Sequence, residues 1–212
     1  FLSLDPTKKP IPVVPGIHYF MGGIWVDRQH RTTMRGLYAS GECACQYHGA
    51  NRLGGNSLLG AIYGGTIAAQ SAMADSFKIP QVEDTHISKS VHAGKDGCYV
   101  DGILNLRHVL QHSLGIVREE RTLQAALAEL QNLQEQMTYD ASASVYENQM
   151  LQNCNLLGQA LLMSADARKE SRGAHWREDY PKSNDDDYLK TTVARFDGKQ
   201  IQISFVPVPE RR

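Results

Sequence analysis

The chain has 212 residues, of which 21% are charged, and its formal net charge is −1. This near-neutral balance gives no electrostatic basis for binding nucleic acid or an anionic membrane surface, and no run of about 18 apolar residues is present to span a bilayer. The length is sufficient for one or two domains with cores of their own.

The four cysteines, Cys43, Cys45, Cys98 and Cys154, are too few and too scattered for a disulfide framework. A single Cys-x-Cys pair is also a weak metal site, because no second pair accompanies it. We therefore predict buried or turn-lining thiols, no metal site and a reducing compartment.

The first part of the chain, residues 1–77, is rich in glycine and in short apolar runs. Short strands are predicted at Ile24–Val26 and Gly36–Ala39, joined by a turn through the polar residues Asp27–Thr33. A helix is predicted over Asn56–Ser76, where small residues allow close packing against a sheet or a ligand.

The most informative stretch is residues 48–59, with the sequence HGANRLGGNSLL, which places one arginine in a glycine-rich loop before the helix. Arg52 offers a planar fork of donors that pairs with a carboxylate through two parallel hydrogen bonds. Asn56 is a favoured N-cap, which leaves the amides of Ser57 and Leu58 without helical partners. These amides lie at the positive end of a helix dipole and suit an anionic ligand group. The loop therefore predicts a site for an anionic small molecule beside a cofactor.

Residues 78–165 begin with a polar connection to about residue 100, and three amphipathic helices with apolar residues every three or four positions follow. The apolar positions are Ile103, Leu106, Leu110, Leu114 and Val117, then Leu123, Leu127, Leu130 and Met137, then Leu156, Leu157, Ala160 and Leu161. Thr122 is the predicted N-cap of the second helix. The short links between helices favour an antiparallel bundle with these residues in its core.

Residues 166–212 are densely charged. Val193–Phe196 and Gln200–Phe205 are predicted to pair as a hairpin, because Asp197-Gly198 between them is a favourable turn dipeptide.

Three basic residues in this last region, Arg172, His175 and Arg177, have two interpretations. They form ion pairs with nearby acidic residues, or they line the edge of an active site. The candidate acidic partners are Glu170, Glu178 and Asp179.

Three motifs resemble the flavoprotein subunit of succinate dehydrogenase and fumarate reductase. The first is HYFMGGI at residues 18–24, which is similar to the family's substrate-histidine motif HYxMGGI. The second combines GECAC at residues 41–45 with the loop at residues 48–59, and the third is ESRGAH followed by REDYP within residues 170–181. The motifs keep the family's order across most of the chain, which is therefore identified as a member of this family.

The resemblance implies that His18 and Arg52 bind the carboxylates of a dicarboxylate substrate. It implies that Glu42 contacts the ribose of FAD and that the amides of Ser57 and Leu58 stabilise charge on the flavin ring. The implied reaction is the reversible dehydrogenation of succinate, with hydride transfer between the substrate carbon and flavin N5. Electrons are expected to leave through an iron–sulfur subunit and its membrane anchor, which implies a cytoplasmic location, peripheral on the inner face of the cytoplasmic membrane.

The implied fold is α+β, with a partial FAD-binding, Rossmann-like α/β piece over residues 1–77. An antiparallel three-helix bundle over 78–165 and a small irregular or β region over 166–212 follow. The family's Gly-x-Gly-x-x-Gly fingerprint and its proton-donating cap-domain arginine have no match here, and the chain opens with Phe1. We therefore predict the C-terminal portion of a longer flavoprotein, inactive by itself.

Two alternatives stay open. L-aspartate oxidase shares the fold, the arginine loop and a Ser-Arg-Gly signature, although Cys43-Ala-Cys45 and Arg177-Glu-Asp are more typical of the dehydrogenase and reductase branch. The isolated fragment is alternatively a non-catalytic module that docks a partner subunit.

Overall fold

The computed structural model describes residues 5–13, 16–45, 47–75, 98–137 and 139–208, which belong to two compact units, residues 1–79 and residues 80–212. Residues 78–97, which form most of the predicted polar connection, lie outside the described residues. The side chain of Cys98 lies outside them as well. The second unit holds both the predicted helical region and the predicted C-terminal region, and the three-part division into domains stays a prediction.

Short backbone pairings, rather than regular strands, organise the start of the first unit. The strands predicted at Ile24–Val26 and Gly36–Ala39 are wrong, because only isolated bridges form there. Ile24 pairs in parallel with Ala44, and its backbone N–H and carbonyl bond the residues on either side of Ala44 at 2.8 and 3.0 Å. This pairing lays the segment after His18 along the segment that contains Glu42.

A tight loop follows Val26 and confirms the turn predicted through Asp27–Thr33. The Asp27 carboxylate accepts hydrogen bonds from the backbone N–H groups of Gln29 and Arg31, at 2.8 and 2.9 Å. Because this turn begins directly after Val26, the extended backbone before it cannot continue as a longer strand.

Helix α1 spans Asn56–Ala74, which confirms the predicted helix to within two residues at its end. It packs against a short 3-10 helix at Gly41–Cys43. The buried hydrophobic residues of this unit are Val26, Ala39 and Ala44, with Tyr47 packed against them.

Three longer helices build the second unit: α2 at Cys98–Ser113, α3 at Glu120–Gln136 and α4 at Val145–Ala167. Helices α3 and α4 run in opposite directions, since Gln124 early in α3 bonds Asp166 late in α4, whereas Asn155 bonds the carbonyl of Leu130. A buried cluster joins all three helices. Its members are Leu106, Val109, Leu123, Ala126, Leu130, Leu162 and Ala165, with Leu110, Leu114 and Leu127 packed against them.

Of the core predicted for α2 and α3, Leu106, Leu123 and Leu130 are buried, and Leu110, Leu114 and Leu127 pack against them. Ile103, Met137 and Val117 lie outside this cluster, and the prediction for the face of α4 is wrong. Val117 lies beyond α2 in a short strand and is exposed. On α4, Leu157 and Leu161 are 61% and 40% exposed, whereas Asn155 and Gly158 are buried. The buried stripe therefore includes polar and small residues that a search for apolar periodicity passes over.

The N-cap of α3 is also different from the prediction. Glu119 takes that position, and the Thr122 hydroxyl, one turn inside the helix, donates to the Glu119 carboxylate at 3.1 Å. Helix α4 begins with a full capping box, in which Ser144 and Glu147 each bond the backbone N–H of the other.

The remaining elements are strand β1 at Val117–Arg118, parallel to β2 at Trp176–Arg177, a short helix α5 at Asp185–Tyr188, and strands β3 at Lys190–Phe196 and β4 at Ile201–Pro207. Strands β3 and β4 form the predicted antiparallel hairpin, which is longer than expected. Gly198 in its turn has φ of 94°, a conformation that glycine adopts at little cost.

Cys43, Cys45 and Cys154 are free thiols, of which Cys43 is exposed at the end of the 3-10 helix and the other two are partly buried. Across the described ranges, no helix has both the length and the apolar character needed to cross a membrane. Within the same ranges, no group of three or more His, Cys, Asp or Glu side chains is arranged to hold a metal ion.

Candidate functional site

The segment that follows His18 lies between the two stretches that carry Glu42 and Arg52. The backbone N–H of Phe20 donates to Oε1 of Glu42 at 3.1 Å. One residue earlier, the ring of Tyr19 lies beneath the guanidinium of Arg52, with Cζ 4.5 Å from the ring centroid. The segments that carry His18, Glu42 and Arg52 therefore meet at one place in the first unit.

Gly23 fixes this segment against its neighbour. Its φ is 150°, and a Cβ built there would lie 2.4 Å from the carbonyl oxygen of Cys43. Only glycine permits so close an approach of two backbones. The second glycine of the HYFMGGI motif is thus a requirement of packing beside Glu42.

Arg52 is half-buried and has most of its donors uncommitted. Its Nη1 donates to the backbone carbonyl of Leu53 at 3.1 Å, whereas its Nε is buried and has no hydrogen-bond partner among the described residues. Within those residues no carboxylate forms an ion pair with Arg52. An arginine held in this way is suited to the carboxylate of a small molecule.

The start of α1 corrects the predicted N-cap. The N-cap is Gly55, with φ of 82°, rather than Asn56, which is the first residue of the helix. A turn closes here because the N–H of Asn56 donates to the carbonyl of Leu53 at 3.2 Å. The amides of Ser57 and Leu58 still precede the first N–H group that donates within the helix, so they lie at its positive end.

The backbone around these amides is open. A Cβ built on Gly49, Gly54 or Gly55 would meet no atom of the described residues within 4 Å. The loop therefore leaves space for a ligand on the side of the helix N-terminus.

His18 is exposed and forms no hydrogen bond with a described residue. Its position is set by the chain, because Tyr19 and Phe20 directly after it are the residues that contact Arg52 and Glu42. The structure thus unites the segments of His18, Glu42 and Arg52, although no hydrogen bond joins the side chains of His18 and Arg52.

Two residues at the site were not predicted to contribute to it, Tyr19 and Tyr47. The Tyr19 hydroxyl bonds Nε2 of His48 at 3.2 Å, and the Tyr47 ring lies 5.7 Å from the His48 ring. The sequence signal for Tyr19 is its place directly after His18 in the motif. His48 contacts both tyrosines and so braces the loop.

The basic residues near the C-terminus belong to an ion-pair network in the second unit. Arg172 pairs with the buried Glu170, and the fully buried Arg177 pairs with Asp179 at 2.6 Å. The ion-pair interpretation is confirmed for these two arginines. The prediction of Glu178 as an ion-pair partner is wrong. Its side chain is exposed, and only its backbone forms a hydrogen bond with the network.

His175 occupies the centre of that network as a neutral imidazole. Its Nδ1 accepts from Arg118 at 2.9 Å, and its Nε2 donates to the carbonyl of Arg168 at 3.1 Å. Burial, together with the nearby positive charges of Arg118, Arg168 and Arg177, lowers the pKa of His175 to about 4.

Comparison with known families defines the class first. Residues 1–58 match a family model described as an FAD binding domain, and residues 103–211 match one described as the C-terminal part of the fumarate reductase flavoprotein. The class is thus that of FAD-dependent oxidoreductases, and FAD is the cofactor that the match indicates. The chain belongs to the succinate dehydrogenase and fumarate reductase flavoprotein family.

Similar proteins support this assignment along the whole chain. The succinate dehydrogenase flavoprotein subunit of Bacillus subtilis is 33% identical over 246 residues, which cover 100% of this chain and 42% of that protein. An L-aspartate oxidase of Acinetobacter baylyi is 36% identical over 215 residues, which cover 96% of this chain and 39% of that protein. The chain therefore spans about two-fifths of the length of these relatives.

Solved structures agree with the sequence relatives. The fold is similar to a chain of E. coli quinol fumarate reductase, with a TM-score of 0.79 and 30% identity over 98% of this chain and 40% of that one. A chain of Mycobacterium smegmatis Sdh1 gives a TM-score of 0.73 and 28% identity over 92% of this chain and 36% of that one. The α+β class predicted from the sequence is confirmed.

Proposed function

We propose that this chain contributes to an FAD-dependent enzyme that interconverts succinate and fumarate. The observation that carries the proposal is the meeting of the His18 segment, Glu42 and the Arg52 loop around Tyr19 and Phe20. A half-buried arginine without a protein carboxylate partner, next to an exposed histidine segment, is suited to a small dicarboxylate.

Arg52 and His18 bind the two ends of the substrate in this proposal. Arg52 donates two parallel hydrogen bonds to one carboxylate, and His18 bonds the other end of the molecule. Holding both ends fixes the carbon chain between them, and such positioning supplies a large part of the rate enhancement of many enzymes.

The residues present fit FAD. One carboxylate oxygen of Glu42 accepts from Phe20, which leaves the other free to accept from the hydroxyls of a ribose. The Ser57 and Leu58 amides, at the N-terminus of α1, stabilise negative charge on the ring edge of a flavin. When bound, FAD supplies the hydride acceptor and donor for the reaction.

We further propose that the enzyme passes electrons to an iron–sulfur subunit and, through it, to a membrane anchor. Support comes from the similarity to quinol fumarate reductase and to Sdh1 in complex with UQ1. The corresponding location is the inner face of the cytoplasmic membrane, with this chain peripheral to it.

A second candidate function is the oxidation of L-aspartate. The 36% identity to an L-aspartate oxidase favours it, and Arg52 is equally suited to a carboxylate of aspartate, which differs from succinate by one ammonium group. Succinate is preferred here because residues 103–211 match a family model described as the C-terminal part of the fumarate reductase flavoprotein.

Three assays on the complete, FAD-loaded enzyme to which this chain contributes distinguish these functions. We expect oxidation of succinate with an artificial electron acceptor and reduction of fumarate with a reduced dye, and no consumption of oxygen with L-aspartate. Oxidation of L-aspartate without turnover of succinate or fumarate would show that the second function is correct. Failure with all three substrates would contradict both.

A further inference from the structure

We propose that Tyr19 is a positioning residue for Arg52, holding its guanidinium ready for the substrate carboxylate. The inference rests on the proposed function, and it assigns a role to a side chain that the substrate itself need not touch. Its basis is the stacking of Arg52 over the Tyr19 ring, with 4.5 Å between Cζ and the ring centroid.

Stacking leaves the donor edge of the guanidinium free. A cation above an aromatic face is attracted by the ring quadrupole, and this attraction uses none of the N–H donors. Within the described residues, Arg52 commits only one donor, to the carbonyl of Leu53, and its buried Nε has no partner. Tyr19 thus restrains the side chain without competing with a carboxylate for its hydrogen bonds.

The Tyr19 ring is itself held in place by His48. The hydroxyl of Tyr19 bonds His48 Nε2 at 3.2 Å, and the two rings meet edge to face, with 5.5 Å between centroids and 73° between planes. An aromatic ring fixed at its hydroxyl end presents a constant face to the cation above it.

This support continues into the buried part of the unit. His48 lies against Tyr47, whose hydroxyl lies 3.0 Å from Nδ1 of His30. His30 is buried, and its Nδ1 also lies 2.8 Å from the carbonyl of Ala39. Gly64 of α1 leaves room for this contact, because a Cβ there would lie 2.2 Å from the Tyr47 hydroxyl. A continuous series of contacting aromatic rings therefore links Arg52 to the buried core of the first unit.

Tyr19 also follows His18 directly in the chain. The contacts of Tyr19 with Arg52 and His48 therefore also restrain the chain directly after His18, the other proposed substrate ligand. A residue that acts in this way affects the binding of the dicarboxylate more than the binding of flavin.

A double-mutant cycle tests the inference. The dissociation constant of malonate, a dicarboxylate too short to be dehydrogenated to an alkene, is measured by calorimetry on the complete, FAD-loaded enzyme that contains this chain. The variants are Tyr19→Leu, Tyr19→Phe, Arg52→Lys and the double variant Tyr19→Leu/Arg52→Lys. Tyr146→Leu is the matched control, because Tyr146 is exposed on α4. FAD content and melting temperature are recorded for every variant.

We expect Tyr19→Leu to weaken malonate binding by roughly threefold to thirtyfold, the range of a cation–π contact, at unchanged FAD content. Tyr19→Phe keeps the ring and should restore most of the affinity, and Tyr146→Leu should bind like the unaltered protein. Because Tyr19 acts through Arg52, the double variant should bind no more weakly than Arg52→Lys alone.

Two results would overturn the inference alone: unchanged affinity in Tyr19→Leu while Arg52→Lys binds weakly, or losses that simply add in the double variant. Unchanged affinity in Arg52→Lys would instead contradict the proposed function. If Tyr19→Leu fails to fold, the malonate affinities of Tyr19→Phe and Tyr19→Trp test the inference instead. Both variants retain a ring face and should retain affinity. A loss in both would contradict the role of the ring.

Discussion

At the scale of single residues, Gly23 combines a backbone conformation and a close backbone contact that both exclude a larger side chain. We expect Gly23→Ala to destabilise the first unit by about 1–3 kcal/mol, the cost of a strained backbone conformation, because φ is 150° and the new Cβ would meet Cys43 O at 2.4 Å. Gly22→Ala is the control, since no atom lies within 4 Å of a Cβ there, and it should stay within about 0.5 kcal/mol. Denaturant titration measures both, and equal stabilities would contradict this account of the motif.

His175 makes the stability of the second unit depend on pH. Its pKa is about 4 in the folded chain against 6.5 for the free side chain, so the unfolded chain binds the proton more tightly. The stability due to neutral His175 is full above about pH 6.5 and is lost as the pH falls towards 4.

Melting temperatures at pH 7.5 and 5.0 test this prediction. His175→Gln should show a smaller fall in melting temperature between the two values than the unaltered protein, because its amide does not take up the proton. His112→Gln, changed at an exposed position on α2, should show the full fall. Equal falls in all three proteins would rule out His175 as the cause.

Much of the candidate site follows from residue chemistry alone. A glycine-flanked arginine before a helix indicates an anion site without any structure, and the family motifs suggest partners for it. Tyr19 could not be predicted in the same way, because its role depends on a ring lying under Arg52, a contact across thirty-three positions of the chain. The N-cap was missed at Gly55 because a glycine with positive φ closes the turn one residue before Asn56.

At the scale of elements, features that depend on neighbouring residues were predicted well, whereas backbone pairings between distant segments were not. The hairpin of β3 and β4 is encoded by Asp197-Gly198 in its own turn. Ile24, by contrast, pairs with Ala44, twenty residues away, and no local pattern selects that partner. The face of α4 was missed for a related reason, since its buried Asn155 is polar.

Asn155 is expected to stabilise the packing of α4 on α3. Its Nδ2 donates to the carbonyl of Leu130 at 3.0 Å, and its Oδ1 accepts from Gln159 at 2.8 Å, both in a buried setting. Asn155→Ala removes both bonds and leaves a buried amide of Gln159 with one partner fewer. A loss of about 1–3 kcal/mol in the free energy of unfolding follows.

The control for this change is Asn153→Ala, on the exposed side of the same helix. It alters the same residue type and should change stability by less than about 0.5 kcal/mol. If both variants unfold at the same denaturant concentration, the buried amide contributes nothing to the bundle.

At the scale of the whole molecule, the chain consists of two units with separate hydrophobic cores. The core of the second unit is complete within its own residues, and the ion pairs of Arg172 and Arg177 are also internal to it. We therefore expect residues 98–208 to fold alone, with helical circular dichroism and one cooperative thermal transition. A fragment without a cooperative transition would show that it depends on the first unit.

The central claim is that the first unit binds the substrate carboxylate through Arg52. Its most direct test is kcat/KM for succinate, measured on the complete, FAD-loaded enzyme with Arg52→Ala and Arg52→Lys, and with Arg107→Lys at an exposed position on α2 as the control. Losing the partner of a desolvated carboxylate costs about 2–5 kcal/mol, so Arg52→Ala should lower kcat/KM by roughly two to three orders of magnitude. Arg52→Lys should also stay well below normal, because a point charge does not reproduce the planar fork. Near-normal kcat/KM in either Arg52 variant, at full FAD content, would remove Arg52 from the site and contradict the account.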